Sequence, residues 1–124
     1  MGATPEMLMR DLNTFGYLFE ALCVRDLRIY ADFYGAQVYH YHDERDNEAD
    51  AIVELTDGRW GMFEIKLGFN QVEGAAQELL SLKEKFLKET KSDPSFLCVL
   101  CGMANAAYKR PDGVYVVPVT ALKF

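Results

Sequence analysis

The chain reads as an α/β (α+β) protein, and three observations carry that reading. Apolar residues recur at helical spacing after Asn13 and again after Asn70, so each segment implies a helix. Between them, from Ala36 to Leu67, strand-like stretches are parted by a charged loop and by Thr56-Asp57-Gly58. Phe96-Leu-Cys-Val-Leu-Cys101 is apolar throughout, as expected of a strand covered on both faces. The predicted order is α-β-β-β-α-β-β.

Asn13 is the expected cap of the first helix, which runs to about Gly35, where glycine provides a stop. Phe15, Leu18, Phe19, Leu22, Ile29 and Phe33 form its expected core face. Tyr17, Val24 and Leu27 make a second, weaker apolar side, with Glu20 among them. A strand near Ala36 to Tyr41 follows, then the loop Asp43-Glu-Arg-Asp-Asn47. His40 and His42 share one strand face and can bind a metal with Asp46, but no further spaced ligand is evident and a surface pair is the simpler reading. Tyr39 and Tyr41 flank His40 and can stack on bases, although strand aromatics more often serve packing.

The next two strands form a hairpin that holds an acid, Asp50, and then Glu64-Ile65-Lys66. A period of two puts Glu64 and Lys66 on one face and Phe63, Ile65 and Leu67 on the other. A two-residue Asp57-Gly58 turn would pair Asp50 with Ile65 and send its carboxylate to the wrong face. A three-residue Thr56-Asp57-Gly58 loop, with Gly58 left-handed, pairs Asp50 with Glu64. Only the second register puts Ala51, Val53 and Leu55 on the face of Phe63, Ile65 and Leu67, so it is the one expected.

Asn70-Gln-Val-Glu73 looks like a capping box that opens a second helix to about Thr90, with Val72, Ala76, Leu79, Leu80 and Phe86 inward. Lys83, Lys85, Lys88 and Lys91 enrich its C-terminal half, where cations suit the helix dipole; Glu84 and Glu89 weaken any phosphate-binding reading. Asp93-Pro94 breaks the helix. Cys98 and Cys101 are three apart on a strand and point to opposite faces, which argues for buried filler over a zinc or redox pair. Pro111-Asp-Gly113 is a turn before a last strand, Val114 to Val117, which Pro118 ends.

With 124 residues, half of them hydrophobic, residues 1–124 are expected to form one domain with a real core. No apolar run approaches the roughly 18 residues of a membrane span, so no membrane partner is expected. The N-terminal residues lack the pattern of a signal peptide, and three cysteines suit a reduced, cytoplasmic protein. A net charge of −6 counts against a stand-alone nucleic-acid enzyme, because affinity for nucleic acid comes largely from neutralising phosphates.

Phe15-Gly-Tyr-Leu-Phe-Glu20-Ala-Leu, Glu48-Ala-Asp50, Trp-Gly-Met-Phe-Glu64-Ile-Lys66-Leu-Gly and Asp112-Gly-Val-Tyr-Val-Val-Pro-Val together resemble the DUF4143 domain, from about Thr4 onward. That domain lies at the C-terminus of prokaryotic AAA-type ATPases. The order of elements and the Asp…Glu-x-Lys set also resemble the PD-(D/E)xK, or restriction-endonuclease-like, nuclease superfamily. The resemblance implies an α-β-β-β-α-β core with a mixed central sheet flanked by helices. It implies site positions at Asp50, Glu64 and Lys66, a first-helix acid at Glu20 and a helper glutamine at Gln77. It also implies nucleic acid, DNA in the first instance, as substrate. No phosphate-binding Gly-x-x-x-x-Gly-Lys-[Ser/Thr] loop occurs, so an ATPase region of the same polypeptide is expected outside this chain.

The chemistry follows from the residue types. Asp50 and Glu64 offer hard oxygens to Mg²⁺ or Mn²⁺, and the Ile65 carbonyl is a third ligand by resemblance. Lys66 can orient the attacking water or stabilise phosphorane charge, and Glu20 can accept a hydrogen bond from a metal-bound water. The plainer alternative is a carboxylate–lysine cluster serving solubility, or the same fold kept as a non-catalytic module that binds nucleic acid or protein.

Overall fold

Helix α1 (Pro5–Phe33) leads into the meander β1 (Gln37–His42), β2 (Glu48–Glu54) and β3 (Trp60–Lys66). Helix α2 (Val72–Thr90) crosses to β4 (Phe96–Cys101), followed by the short β5 (Tyr108–Lys109) and β6 (Tyr115–Pro118). This computed structural model describes the backbone of residues 5–45 and 47–121 and the side chains of residues 18–45 and 47–120. The six strands make one mixed sheet in the order β1-β2-β3-β4-β6-β5, antiparallel through β3 and parallel from β3 to β4 to β6. The fold is the expected mixed sheet flanked by helices; β5 is an addition that its two residues could not announce.

The helices cover opposite faces. Under α2, Met62, Leu79, Val99, Cys101 and Val116 belong to the largest buried cluster. Under α1 lie two smaller clusters, Leu27, Ala31, Ala36, Ala51 and Val53 in one and Cys23, Ile65, Cys98 and Leu100 in the other. Cys98 and Cys101 thus point to opposite faces, as the strand period requires.

Three local expectations are corrected. Asn13 lies inside α1 rather than at its start; Pro5 suits a first helical turn and Glu6 to Arg10 are good helix formers, so the helix extends upstream. Most of the expected core face of α1 points outward: Leu18, Leu22, Ile29 and Phe33 are exposed, while Cys23, Leu27 and Ala31 meet the sheet; of the described members of that expected face, Phe19 packs inward. The side chains of Phe15 and Tyr17 lie outside the described residues. The reciprocal bonds before α2 are between Gly68 and Gln71, not Asn70 and Glu73, because a short 3-10 turn, Phe69–Gln71, precedes the helix.

The hairpin adopts the expected three-residue register. Ala51 faces Phe63 and Glu54 faces Trp60; Leu55 N–H donates to the Arg59 carbonyl, and Gly58 is left-handed at φ 91°. Glycine is favoured there because a Cβ disfavours positive φ. On the other side of β2, Tyr39 faces Ile52 but Tyr41 faces Ala49. Asp50 and Ala51 therefore both oppose His40, which is a β-bulge in β2. The extra residue breaks the period of two, so Ala49 joins the α2 core while Ala51 joins the α1 core.

Candidate functional site

Asp50 and Glu64 sit where β2 and β3 part. One residue beyond the Ala51–Phe63 pair, side chains take over from the ladder: Asp50 N–H donates to Glu64 Oε1 at 3.3 Å, and Ile65 N–H donates to Asp50 Oδ2 at 2.7 Å. Past this fork β3 runs with β4 alone, Glu64 beside Val99 and Lys66 beside Cys101. Both acids are buried, at 8% and 4% exposure. Burying carboxyls is costly unless hydrogen bonds or charges compensate, so the fork is a specific arrangement.

A cavity of about 520 Å³ opens at the fork. α1 contributes Glu20 to its wall, the hairpin Glu48, Asp50, Glu64 and Lys66, and α2 Gln77 and Glu78. Of the site positions implied by the resemblance, the side chains of Glu20, Asp50, Glu64, Lys66 and Gln77 thus line one space. Ile65 donates its N–H to Asp50, while its side chain packs with Cys23, Cys98 and Leu100. Lys66 Nζ lies 4.0 Å from Glu64 Oε2. Gln77 reaches the rim, where its Nε2 donates to Glu73 Oε1 at 3.4 Å.

Two acids were not singled out from sequence, Glu48 and Glu78. Glu48 had a legible signal: it stands two residues before Asp50 on one strand, so alternation alone brings it near. Glu78 had none, because an exposed helix glutamate is ordinary. Oxygens of Glu20, Glu48 and Asp50 all lie within 4.8 Å of one another. Carboxylate oxygens are the hard donors Mg²⁺ takes, and since adjacent ligands of an octahedral ion with bonds of ~2.1 Å stand about 3.0 Å apart, these side chains would have to draw together to hold one. Acidic groups also gather at surfaces without an ion, and the fit is a matter of donor chemistry alone.

The electrostatics have one theme. Among the described residues the cavity wall carries five carboxyls and one lysine. Burial, then proximity to Asp50, pushes Glu64 up to about 9, against a smaller pull from Lys66. Burial and a hydrogen bond with Asp50, with repulsion from Asp50 and Glu48, push Glu20 up to about 7. At neutral pH the cavity therefore holds protons as well as negative charge.

Other candidates lie elsewhere. His40 Nε2 is 3.7 Å from Glu48 Oε1, and His40 Nδ1 is 3.4 Å from the Asp50 carbonyl, so His40 braces the bulge. Asp46 lies outside the described residues. Tyr41 packs its ring 5.0 Å from Phe86 and donates its hydroxyl to Asp43, a packing role. Lys85 pairs with Asp43, and Lys83 lies 3.9 Å from Asp93. Among the described residues no helix is long and apolar enough to cross a membrane.

The fold and its fork define a mixed α/β domain with a buried acidic cavity between sheet and helices. The chain belongs to the family described as a domain of unknown function, DUF4143, which matches residues 15–122. No curated protein and no solved structure matches it.

Proposed function

We propose that this domain is a metal-dependent phosphodiesterase of the PD-(D/E)xK type that cuts nucleic acid as part of a cytoplasmic, ATPase-linked protein. One observation carries the reading: Glu20, Asp50, Glu64 and Lys66, drawn from a helix and two strands, converge on one cavity. The order α1-β1-β2-β3-α2-β4 supports it. Glu20, Glu48 and Asp50 would hold Mg²⁺ or Mn²⁺, with Glu64 adjoining. Such an ion lowers the pKa of a bound water and polarises the scissile phosphate. Lys66, partly exposed beside Glu64, holds its ammonium where negative charge grows on the phosphorane. A neighbouring groove shares Asn47, Ser81 and Leu82 with the cavity and carries Arg45, Lys85 and Lys88, but Glu84 and Glu89 line it too and Lys85 is paired with Asp43, so a phosphate backbone would need a basic surface from the rest of the protein.

A second reading, a recognition module without catalysis, is favoured by the two bonds at the fork. Asp50 and Glu64 each satisfy a backbone N–H, so they hold the strands without a metal. Lys66 separates the readings. The ATPase-linked protein, wild type and Lys66→Ala, is assayed on single-stranded, duplex and branched substrates with Mg²⁺ and Mn²⁺. Cutting that Lys66→Ala abolishes while substrate binding persists is the expected result, since the lysine acts on the transition state. Equal cutting by both, or none by either, transfers the reading to the recognition module.

A further inference from the structure

Asp43 opens the loop between β1 and β2 and lies outside the cavity wall. Its Oδ1 accepts the N–H groups of Arg45 and Asn47, each at 2.9 Å, and its Oδ2 accepts the Tyr41 hydroxyl and the Asn47 amide, each at 3.1 Å. Lys85, on α2, donates its ammonium to the same Oδ2. The Asp43 and Lys85 side chains are 15% and 23% exposed, more enclosed than an ordinary surface ion pair. Lys85 above all holds the Asp43 carboxyl well below the usual carboxylate range, so it remains an acceptor for all of these donors.

These bonds reach the cavity from two sides. On the loop side, Asn47 lines the cavity and Glu48 follows it as the first residue of β2. Glu48 pairs with His42 on the last rung of the hairpin, where a strand is prone to fray. Beyond that rung the chain is closed by the Asp43 N–H on the Asn47 carbonyl at 3.0 Å and by the Asp43 carboxylate. On the helix side, Lys85 stands one turn beyond Ser81, which lines the α2 wall with Gln77 and Glu78. Phe86, next to Lys85, packs its ring on Tyr41. The Asp43–Lys85 pair thus ties the end of β2 that carries Glu48 to the helix that forms the facing wall.

We propose that Asp43 and Lys85 are positioning residues for the cation site, fixing the spacing between Glu48 and the wall of α2. The inference rests on the metal-dependent reading above, in which Glu48 is one of three acids whose oxygens lie within 4.8 Å of one another. Those side chains have to draw together around an ion, and a strand end already held in place loses less freedom when they do. Neither Asp43 nor Lys85 lines the cavity, so the pair acts through Glu48 and the helix and not on the ion itself.

The sign of one substitution separates position from charge. Lys85→Met removes a positive charge near the acids, so on electrostatics alone it strengthens cation binding. If the pair sets position, it weakens binding instead. Titration calorimetry of the full chain with Mn²⁺ at one pH should show about tenfold weaker binding in Lys85→Met, the scale for groups that support metal ligands, and near wild-type binding in Lys85→Arg. Asp43→Asn keeps an oxygen for the Arg45 and Asn47 N–H groups but loses the ion pair, so it too should bind about tenfold more weakly. Adding Lys85→Met to it should cost nothing further, because the two residues act as one unit. Glu44→Gln, exposed in the same loop, removes the same charge without touching the pair and is the control for Asp43→Asn should Lys85→Met not fold. Circular dichroism establishes that each variant is folded. Unchanged or tighter binding in Lys85→Met, full additivity of the two substitutions, or equal losses in Asp43→Asn and Glu44→Gln overturns the proposal and leaves the pair a fastener of the loop alone. A wild-type chain that binds no Mn²⁺ removes the metal-dependent reading itself, and this inference with it.

Discussion

The two faces of the sheet are built differently. Under α2, twelve buried residues form one cluster that includes Met62, Leu79, Val99 and Val116. Under α1 the buried residues among those described fall into clusters of five and four, rich in Ala31, Ala36, Ala51, Cys23 and Cys98. An apolar cavity of about 480 Å³, lined by Leu27, Tyr30, Tyr34, Val53 and Phe63 among others, adjoins the first. α2 has one apolar face and buries it. α1 has two, and over its described residues lays Cys23, Leu27 and Ala31, with Phe19 and Val24 partly buried beside them, on the sheet while Leu18, Leu22 and Ile29 stay outside. Apolar periodicity thus fixes which face of a helix is buried only when a single face is apolar.

The largest expected effect breaks or sharpens this contrast directly. Leu79 is fully buried in the denser cluster, so Leu79→Ala should cost about 3–5 kcal/mol by removing methyl groups and leaving a cavity. Leu27→Ala, on the looser face beside an existing cavity, should cost about 2–3 kcal/mol, because neighbours there can collapse inward. Urea melts at one dilute protein concentration measure both. Equal losses would mean that the two faces are equally well packed, whatever their composition.

What was legible in sequence follows the same line. The hairpin register was legible because a one-residue slip would have turned Ala51, Val53 and Leu55 away from Phe63 and Ile65, and only one loop length avoids that. Gathering Asp50, Glu64 and Lys66 needed little more than that register. The bulge at Asp50 and Ala51 was not legible: it is set by how β1 pairs with β2, and no local residue type demands it. The inward face of α1 was hidden because Leu18, Leu22 and Ile29 outweigh Cys23, Leu27 and Ala31 on any hydrophobicity count. Close packing on the sheet favours the smaller set instead. Gly61 shows the same constraint on β3, where a Cβ would meet the Phe96 ring at 2.3 Å.

Between the two faces lies the fork, and its acids predict how stability varies with pH. Glu64 ordinarily ionises near 4.5 but only near about 9 in the folded chain. Between those values the unfolded chain has released a proton that the folded chain keeps, so raising the pH favours unfolding. Glu20, raised to about 7, adds to the same trend over the lower part of that window. Without divalent cation, stability should fall by several kcal/mol from pH 5 to pH 9. Glu64→Gln keeps an oxygen for the Asp50 N–H and cannot ionise, so it should flatten the fall and be the more stable protein at pH 9. Parallel pH curves for the two proteins would show that Glu64 is charged in the fold and that another group holds the proton.

The smallest expected effect concerns motion, and the three cysteines report it. Cys23 lies on α1 and Cys98 faces it, whereas Cys101 lies under α2. All three are free and buried, and burial first of all pushes the Cys23 thiol up to about 11 and the Cys98 thiol to about 12. A thiolate forms and reacts only when the site opens, so labelling rates in excess reagent follow local opening. If the α1 face is the looser, lifting α1 exposes Cys23 without disturbing the cluster under α2. In variants that keep one cysteine each, Cys23 should label about tenfold faster than Cys101, equivalent to ~1.4 kcal/mol less opening free energy. The rates should converge in urea near the unfolding midpoint, where global opening governs both. Equal rates in the absence of urea would mean that the faces open together, and the difference in composition would then have no dynamic consequence.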